Sequence, residues 1–261
     1  MPDAWNPQQY ERFAAERSQP FYDLMAMVEP VERPNVIDIG CGTGKLTAEL
    51  HAHLGATETL GIDSSQSMLA EAPVGIEGLR FDVRDGATYE HHSAWDVVFS
   101  NAALQWMPKH HDVICCWAEA LKPGGQLAIQ MPSNADHPSH MVSSELSLDP
   151  MFQHEFEGGP PPDPVHENVL TPEEYATLLY DLGFERQHVR LQVYGHVLAS
   201  SAEVVEWVKG TSLTRFQKAM SPEAFERFVD EYRRRLIAII GDKSPYFYPF
   251  KRILIWGRRP A

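Results

Sequence analysis

The nine residues Val36-Ile37-Asp38-Ile39-Gly40-Cys41-Gly42-Thr43-Gly44 constrain this chain more than any others. Val36, Ile37 and Ile39 suit a buried parallel strand, because β-branched side chains pack well on a pleated surface. The three glycines let the backbone turn sharply and approach a ligand where a Cβ would clash. Lys45 to Leu50 then reads as a helix opened by Thr43 or Gly44, whose unpaired N–H groups form a partly positive end. Strand, glycine turn and helix in that order make a nucleotide-type site.

Details narrow the choice of nucleotide. A dinucleotide fingerprint would need glycine at position 45, which holds Lys45, and no phosphate-binding G-x-x-x-x-G-K-[ST] run occurs. What remains is Asp38, two residues before the first glycine. The D-x-G-C-G-T-G pattern resembles motif I of the class I S-adenosylmethionine-dependent methyltransferases. A carboxylate there suits the ammonium group of that ligand, directly or through water.

With 261 residues and 43% hydrophobic content, the chain supports one large α/β core plus an appendage. No apolar run reaches transmembrane length, and Met1-Pro2-Asp3-Ala4-Trp5 lacks the features of a signal peptide. Three cysteines, two of them adjacent (Cys115, Cys116), offer no disulfide framework, so a reducing, cytoplasmic setting is expected. A net charge of −14 argues against nucleic acid or an anionic membrane as partner. The charge is uneven: residues 200–261 carry 12 Lys+Arg against 7 Asp+Glu, or +5, which leaves −19 for the rest. A pocket for a small polyanion and solvated helix faces, such as Arg233-Arg234-Arg235, both account for this.

Along the chain, Asn6-Pro7 opens a helix on which Tyr10, Phe13, Ala14 and Arg17 share a face. Pro20 is expected to interrupt it before a second stretch through Phe21, Leu24, Met25 and Val28. This N-terminal segment (1–30) is expected to lie over the cofactor cleft, with Tyr10 and Arg17 at the site. The second strand (57–62) leads to Asp63, placed to accept hydrogen bonds from a ribose diol. Ser64-Ser65 caps a helix carrying Met68. The third strand (79–81) runs into Asp82-Val83, an acid and an aliphatic residue that fit an adenine pocket; Asp85 is a near competitor.

The fourth strand (95–100) ends in Asn101-Ala102-Ala103-Leu104-Gln105-Trp106, where the reactive methyl would lie. A helix over 108–121 carries Cys115 and Cys116 as packing residues rather than nucleophiles. Leu121-Lys122-Pro123-Gly124-Gly125 is a second methyltransferase hallmark, and strand five covers 126–131. Residues 132–170 read as an irregular excursion with at most short helices, and the run 158–164 has no assigned role. His137 and His140 have no third ligand, so they are expected to be solvated or substrate-facing and no metal is expected. A capped helix starts at Thr171 and runs to about 182. Strand six covers 184–197, two helices fill 200–243, and the last strand covers 253–256.

Trp5-Asn6-Pro7-x-x-Tyr10, Ala15-Glu16-Arg17-Ser18, Asn101-Ala102-x-Leu104-Gln105-Trp106, Gln130-Met131-Pro132, Val205-x-Trp207-Val208 and Phe250-x-Arg252 resemble the trans-aconitate 2-methyltransferase family along essentially the whole chain. The resemblance implies a Rossmann-like, doubly wound α/β fold with a seven-stranded sheet whose last strand is antiparallel. Its core would span 31–199, with a helical cap (200–245) inserted between strands six and seven and the last strand within 246–261.

The implied cofactor is S-adenosyl-L-methionine, leaving S-adenosyl-L-homocysteine, and the implied product is a methyl ester of trans-aconitate or a similar small polycarboxylate. A carboxylate with a pKa near 4 is already ionised at neutral pH, so no general base is expected. On this reading Asp38, Gly40, Gly42, Asp63, Ser64, Met68, Asp82, Val83 and Asn101 meet the cofactor, with Tyr10 and Arg17. Gln105, Trp106, Arg215, Tyr248 and Arg252 meet the substrate, the arginines because their planar fork takes a carboxylate bidentately. Two alternatives stand beside it: a carboxyl methyltransferase acting on an acyl-carrier-protein thioester, and a non-catalytic S-adenosylmethionine-binding protein.

Overall fold

The computed structural model describes residues 14–261, with side chains from Ser18 onward; Tyr10 and the Arg17 side chain lie outside the described residues. In chain order the elements are α1 (Ala14–Met25), β1 (Asn35–Ile39), α2 (Lys45–Leu54), β2 (Glu58–Asp63), α3 (Gln66–Leu69), β3 (Leu79–Val83), β4 (Trp95–Asn101), α4 (His110–Glu119) and β5 (Leu121–Pro132). Next come α5 (Pro138–Ser147), α6 (Pro150–Gln153), α7 (Pro164–Asn168), α8 (Pro172–Asp181), β6 (Arg186–Leu198), α9 (Ala202–Lys209), α10 (Thr214–Ala219), α11 (Pro222–Ile240) and β7 (Tyr246–Arg258). The strands form one sheet in the order β3-β2-β1-β4-β5-β7-β6, with β1 to β5 in parallel pairings and β7 antiparallel to β5. That is the doubly wound α/β arrangement expected from the sequence, and α9 to α11 form the insertion between β6 and β7.

The chain divides into two compact units: one of residues 17–132, 168–192 and 252–261, the other of 133–167 and 193–251 with residues 14–16. In the first unit, residues opposite one another in register share a face of the sheet. Ile37, Val98, Leu127 and Ile255 lie on the face buried against Ile114 and Trp117 of α4 and Tyr175 and Leu178 of α8. α8 starts where its capping box predicts: Glu174 N–H donates to Thr171 Oγ1 at 3.2 Å while Thr171 N–H donates to Glu174 Oε2 at 2.7 Å. On the opposite face Phe21 of α1 meets Phe99 edge-to-face, ring centroids 5.3 Å apart. Beside it the Gln126 amide exchanges hydrogen bonds with the Glu29 backbone. The Glu29 carboxylate in turn takes Arg186 and Arg258.

The second unit has its own core: Val204, Val205, Trp207 and Val208 of α9, and Phe225, Phe228, Tyr232 and Leu236 of α11, packed with Val142 and Leu146 of α5. Residues 133–167 and the helical insertion both contribute to this unit.

Three expectations need correction. α1 continues through Pro20, because the missing N–H removes a single hydrogen bond from a helix that is otherwise packed. The excursion after β5 contains the ten-residue helix α5, started by the His137 side chain accepting from Ser139 N–H. The insertion holds three helices among the described residues rather than two, since Gly210 ends the first at Lys209 and a separate short helix follows from Thr214; the helix capped by Ser221 starts where expected.

Candidate cofactor and substrate site

The glycine turn is set by backbone geometry that other residues resist. Gly40 has φ +78°, and a Cβ there would lie 2.1 Å from the Ala103 Cβ. Gly42 has φ +57°, and a Cβ would meet the Met68 methyl at 3.3 Å. The turn is tied to β2 by Gly40 and Cys41 N–H groups donating to Ile62 O at 2.8 and 3.0 Å. Helix α2 then begins from Gly44, which is its cap.

Two carboxylates flank this turn. Asp38 is buried, with Thr47 Oγ1 donating to Oδ2 at 2.6 Å. Burial pushes its carboxyl up to about 7; the threonine opposes this and the charge of Asp63 adds to it. Asp63 ends β2 and accepts Gly42 N–H at 2.9 Å on one oxygen and Ser65 N–H at 2.8 Å on the other. Each oxygen keeps further acceptor capacity for a diol. Asp63 is not the cap of α3; Ser65 is, accepting Met68 N–H at 3.1 Å. Ser64 is exposed between them, and Met68 is buried beside Gly42. The Cys41 thiol, half-buried between the acids, is driven far up by burial and by both carboxylates.

At the end of β3, Val83 is 51% exposed, an aliphatic surface open for a ring to lie on. Asp82 accepts Arg84 Nε at 2.8 Å, which leaves its second oxygen for another donor. Asp85, the near competitor, is spent locally, accepting Ala87 N–H at 2.9 Å.

The ends of β4 and β5 carry amides. Asp38, Phe99, Ala128 and Trp256 are successive register partners, so they share the face of α1. Two residues further along, Asn101 partners Gln130, Gln130 partners Leu254, and Pro132 partners Arg252. Asn101, Gln130 and Arg252 therefore occupy the carboxyl-end rim of that same face. Arg252 is buried. Ala102 follows in a left-handed conformation, φ +55°. The buried Gln105 donates from Nε2 to Ala102 O at 2.7 Å and receives Asn168 Nδ2 on its backbone oxygen at 3.0 Å. Trp106 is partly exposed. Sequence reasoning did not single out Gln130 on this rim; its signal was one polar residue in the apolar run Leu127-Ala128-Ile129-Gln130-Met131.

Arg215 and Tyr248 belong to the second unit; Tyr248 is buried, and the Arg215 side chain is 8% exposed. Arg215 Nη1 lies 3.0 Å from Asp163 Oδ2, and Nη2 donates to Ser144 Oγ at 3.1 Å and to Ser143 Oγ at 3.3 Å. His140 Nδ1 pairs with the same Asp163 oxygen at 2.7 Å. Burial alone would push the Asp163 carboxyl up, but His140 and Arg215 more than reverse this and hold it far below the usual carboxylate range. The run 158–164 thus carries the acid that ties α5 to α10. Tyr248 shares a hydrogen bond with Ser139 Oγ at 3.1 Å, and Tyr232 donates to Ser139 O at 2.8 Å.

Of the two histidines, His140 is buried on Asp163, while the half-buried His137, pushed down to about 4 by burial, caps α5. The basic excess of this region is largely met by acids, Arg227 by Glu155, Arg233 by Glu206, Arg235 by Glu231 and Asp149, and Lys251 by Asp136. Among the described residues no group of three or more His, Cys, Asp or Glu is arranged to hold a metal ion, and no helix is long and apolar enough to cross a membrane.

Residues 36–125 match the family model described as "Methyltransferase domain". The fold is similar to that of phosphoethanolamine N-methyltransferase 2 of Haemonchus contortus in complex with S-adenosyl-L-methionine (19% identity, TM-score 0.58, 94% of this chain and 53% of that one). It is also similar to an S-adenosylmethionine-dependent methyltransferase from Mesorhizobium loti (19%, TM-score 0.53, 92% and 97%). Trans-aconitate 2-methyltransferase of Deinococcus radiodurans is 38% identical over 259 residues, covering 98% of each chain. The enzyme of that name from Streptomyces coelicolor is 35% identical, covering 98% of this chain and 87% of its own. Identity at this level across both units, with the motif-I turn and its two acids intact, shows that the chain belongs to the trans-aconitate 2-methyltransferase family.

Proposed function

We propose that the protein transfers the methyl group of S-adenosyl-L-methionine to one carboxylate of trans-aconitate or a closely similar small polycarboxylate. The observation that carries the reading is the buried guanidinium of Arg252 on the sheet face and rim that Asn101 shares, one strand beyond β5. The residues fit the cofactor: a turn with no room for a Cβ at Gly40, a dry acid for an ammonium group, and a second acid with acceptor capacity for a diol.

When bound, S-adenosyl-L-methionine supplies an electrophilic methyl on a sulfonium. Asp38 and Asn101 would hold its amino-acid end, Asp63 and Ser64 its ribose, and Asp82, Val83 and Met68 its adenine side, with Tyr10 and Arg17 completing the set. Arg252, Gln105 and Trp106 would orient the substrate. Arg215 contributes by keeping the second unit rigid, its charge being matched by Asp163. An ionised carboxylate needs no proton removed before it attacks, so the protein's work is alignment and exclusion of water.

The test is product analysis by mass spectrometry after incubation with S-adenosyl-L-methionine and a panel of small organic acids. A monomethyl ester of trans-aconitate is expected; a chain that methylates only carrier-bound thioesters, or nothing, sinks the reading. Arg252→Ala should raise KM for the tricarboxylate at least tenfold, as for a hydrogen-bonded charged pair, with little change for the cofactor. Equal losses on both would assign Arg252 to structure alone.

Asp38 gives a pH signature. Its carboxyl in the free protein titrates at about 7, and a bound ammonium favours the charged form, so binding releases a proton below that pH. Cofactor affinity should rise nearly tenfold per pH unit up to about pH 6.5 and level off above about 7. Calorimetry that finds a flat profile, or the same profile in Asp38→Asn, removes Asp38 from this role.

A further inference from the structure

Gln130 is fully buried in β5, yet among the described residues neither its Nε2 nor its Oε1 has a hydrogen-bond partner. Side-chain amides in folded proteins are rarely left so, and one that is kept dry and unpaired calls for an explanation. Packing offers none, since Leu or Met of similar volume would fill the same space without the desolvation cost. Its neighbours point to a ligand. Asn101, its register partner, has a buried Oδ1 without a partner among the described residues, and so does Gln105 at Oε1. Asn101 and Gln130 at the ends of β4 and β5, and Gln105 in the turn after β4, thus carry orphaned polar atoms that no group among the described residues answers.

Position defines what the ligand must be. Gln130 partners Leu254, so Arg252 is its diagonal neighbour across the antiparallel pair, a separation of about 7–8 Å that long side chains span. An Nε2 with two N–H donors beside a guanidinium with a planar fork is a donor array, and the anion it fits is planar and has two oxygens. No hydrogen bond fixes which end of the amide points where, so Nε2 is free to turn toward that anion.

We infer that Gln130 is a substrate-recognition residue that, with Arg252, clamps a carboxylate of the polycarboxylate not undergoing methylation. The inference rests on the proposed function and extends it by naming the donor that distinguishes a carboxylate from an ester or an alcohol at that position. Asn101 then faces the cofactor side of the same rim, so the two adjacent amides divide the two ligands between them.

The experiment is calorimetric titration of trans-aconitate into protein saturated with S-adenosyl-L-homocysteine, beside titration of that nucleoside alone and a thermal melt. Gln130→Met should weaken trans-aconitate about tenfold to a hundredfold, leave the nucleoside within about threefold, and hold or raise the melting temperature, because an unpaired amide is replaced by an apolar chain. Gln130→Glu should weaken trans-aconitate further, a carboxylate then facing a carboxylate. If Gln130→Met binds trans-aconitate as the wild type does, or melts lower with both ligands weakened alike, Gln130 is structural and the inference is overturned while the proposed function stands. Wild-type protein that binds no polycarboxylate overturns both.

Discussion

Asp163→Ala should cost the fold about 3–5 kcal/mol, the loss seen when one member of a buried ion pair is removed and its partner's charge is stranded. Two groups are stranded here, Arg215 and His140, both within hydrogen-bonding distance of the same carboxylate oxygen. At about 2–4 °C per kcal/mol, the melting temperature should fall by about 10 °C. Because the folded state holds the Asp163 carboxyl below its ordinary range, this contribution is complete above the unfolded carboxyl's pKa of about 4 and drains away as the pH falls below it. Asp163→Ala and wild type should therefore converge in stability toward acid. A drop of less than about 2 °C at neutral pH, or a gap that widens in acid, would show that the triad does not hold this unit together.

Gly40→Ala should abolish useful cofactor binding, with a loss of a hundredfold or more. The added Cβ would stand 2.1 Å from another Cβ, which no rotamer change can relieve, so the turn itself must move. A displacement near 1 Å in a positioning element costs about a hundredfold. The left-handed backbone adds about 1–2 kcal/mol of strain. Gly55→Ala is the control: it is also left-handed, with φ +58°, but a Cβ there meets nothing within 4 Å. It should lose about 1 kcal/mol of stability and leave cofactor affinity unchanged. Wild-type affinity in Gly40→Ala would mean that the turn is not the ligand's seat.

Most of the first unit was legible in the sequence because its signals are local. β-branched runs marked the strands, the Asp38 to Gly44 turn marked the switch point, and Thr171 with Glu174 marked a helix start that both hydrogen bonds realise. The second unit was harder to read. The ten residues of α5 lie in a stretch rich in proline, where Pro138 looked like a breaker but sits at the first turn, the place a helix tolerates it. Arg215 looked like a cation for substrate because the acid that balances it is 52 positions away in a run of glycines and prolines, and no periodicity links the two. Gln130 was passed over for the opposite reason. A strand pattern shows that a residue faces inward, but only the fold shows that its amide finds no partner there.

Cys41 carries a consequence for a protein that handles an alkylating agent. The residue stands inside the very turn that would seat a sulfonium, and a thiolate there would be the best nucleophile in reach. Burial first, and then the charges of Asp38 and Asp63, favour its protonated form. On the proposed reading, the burial that seats the donor beside those two acids also keeps this thiol in its less reactive form.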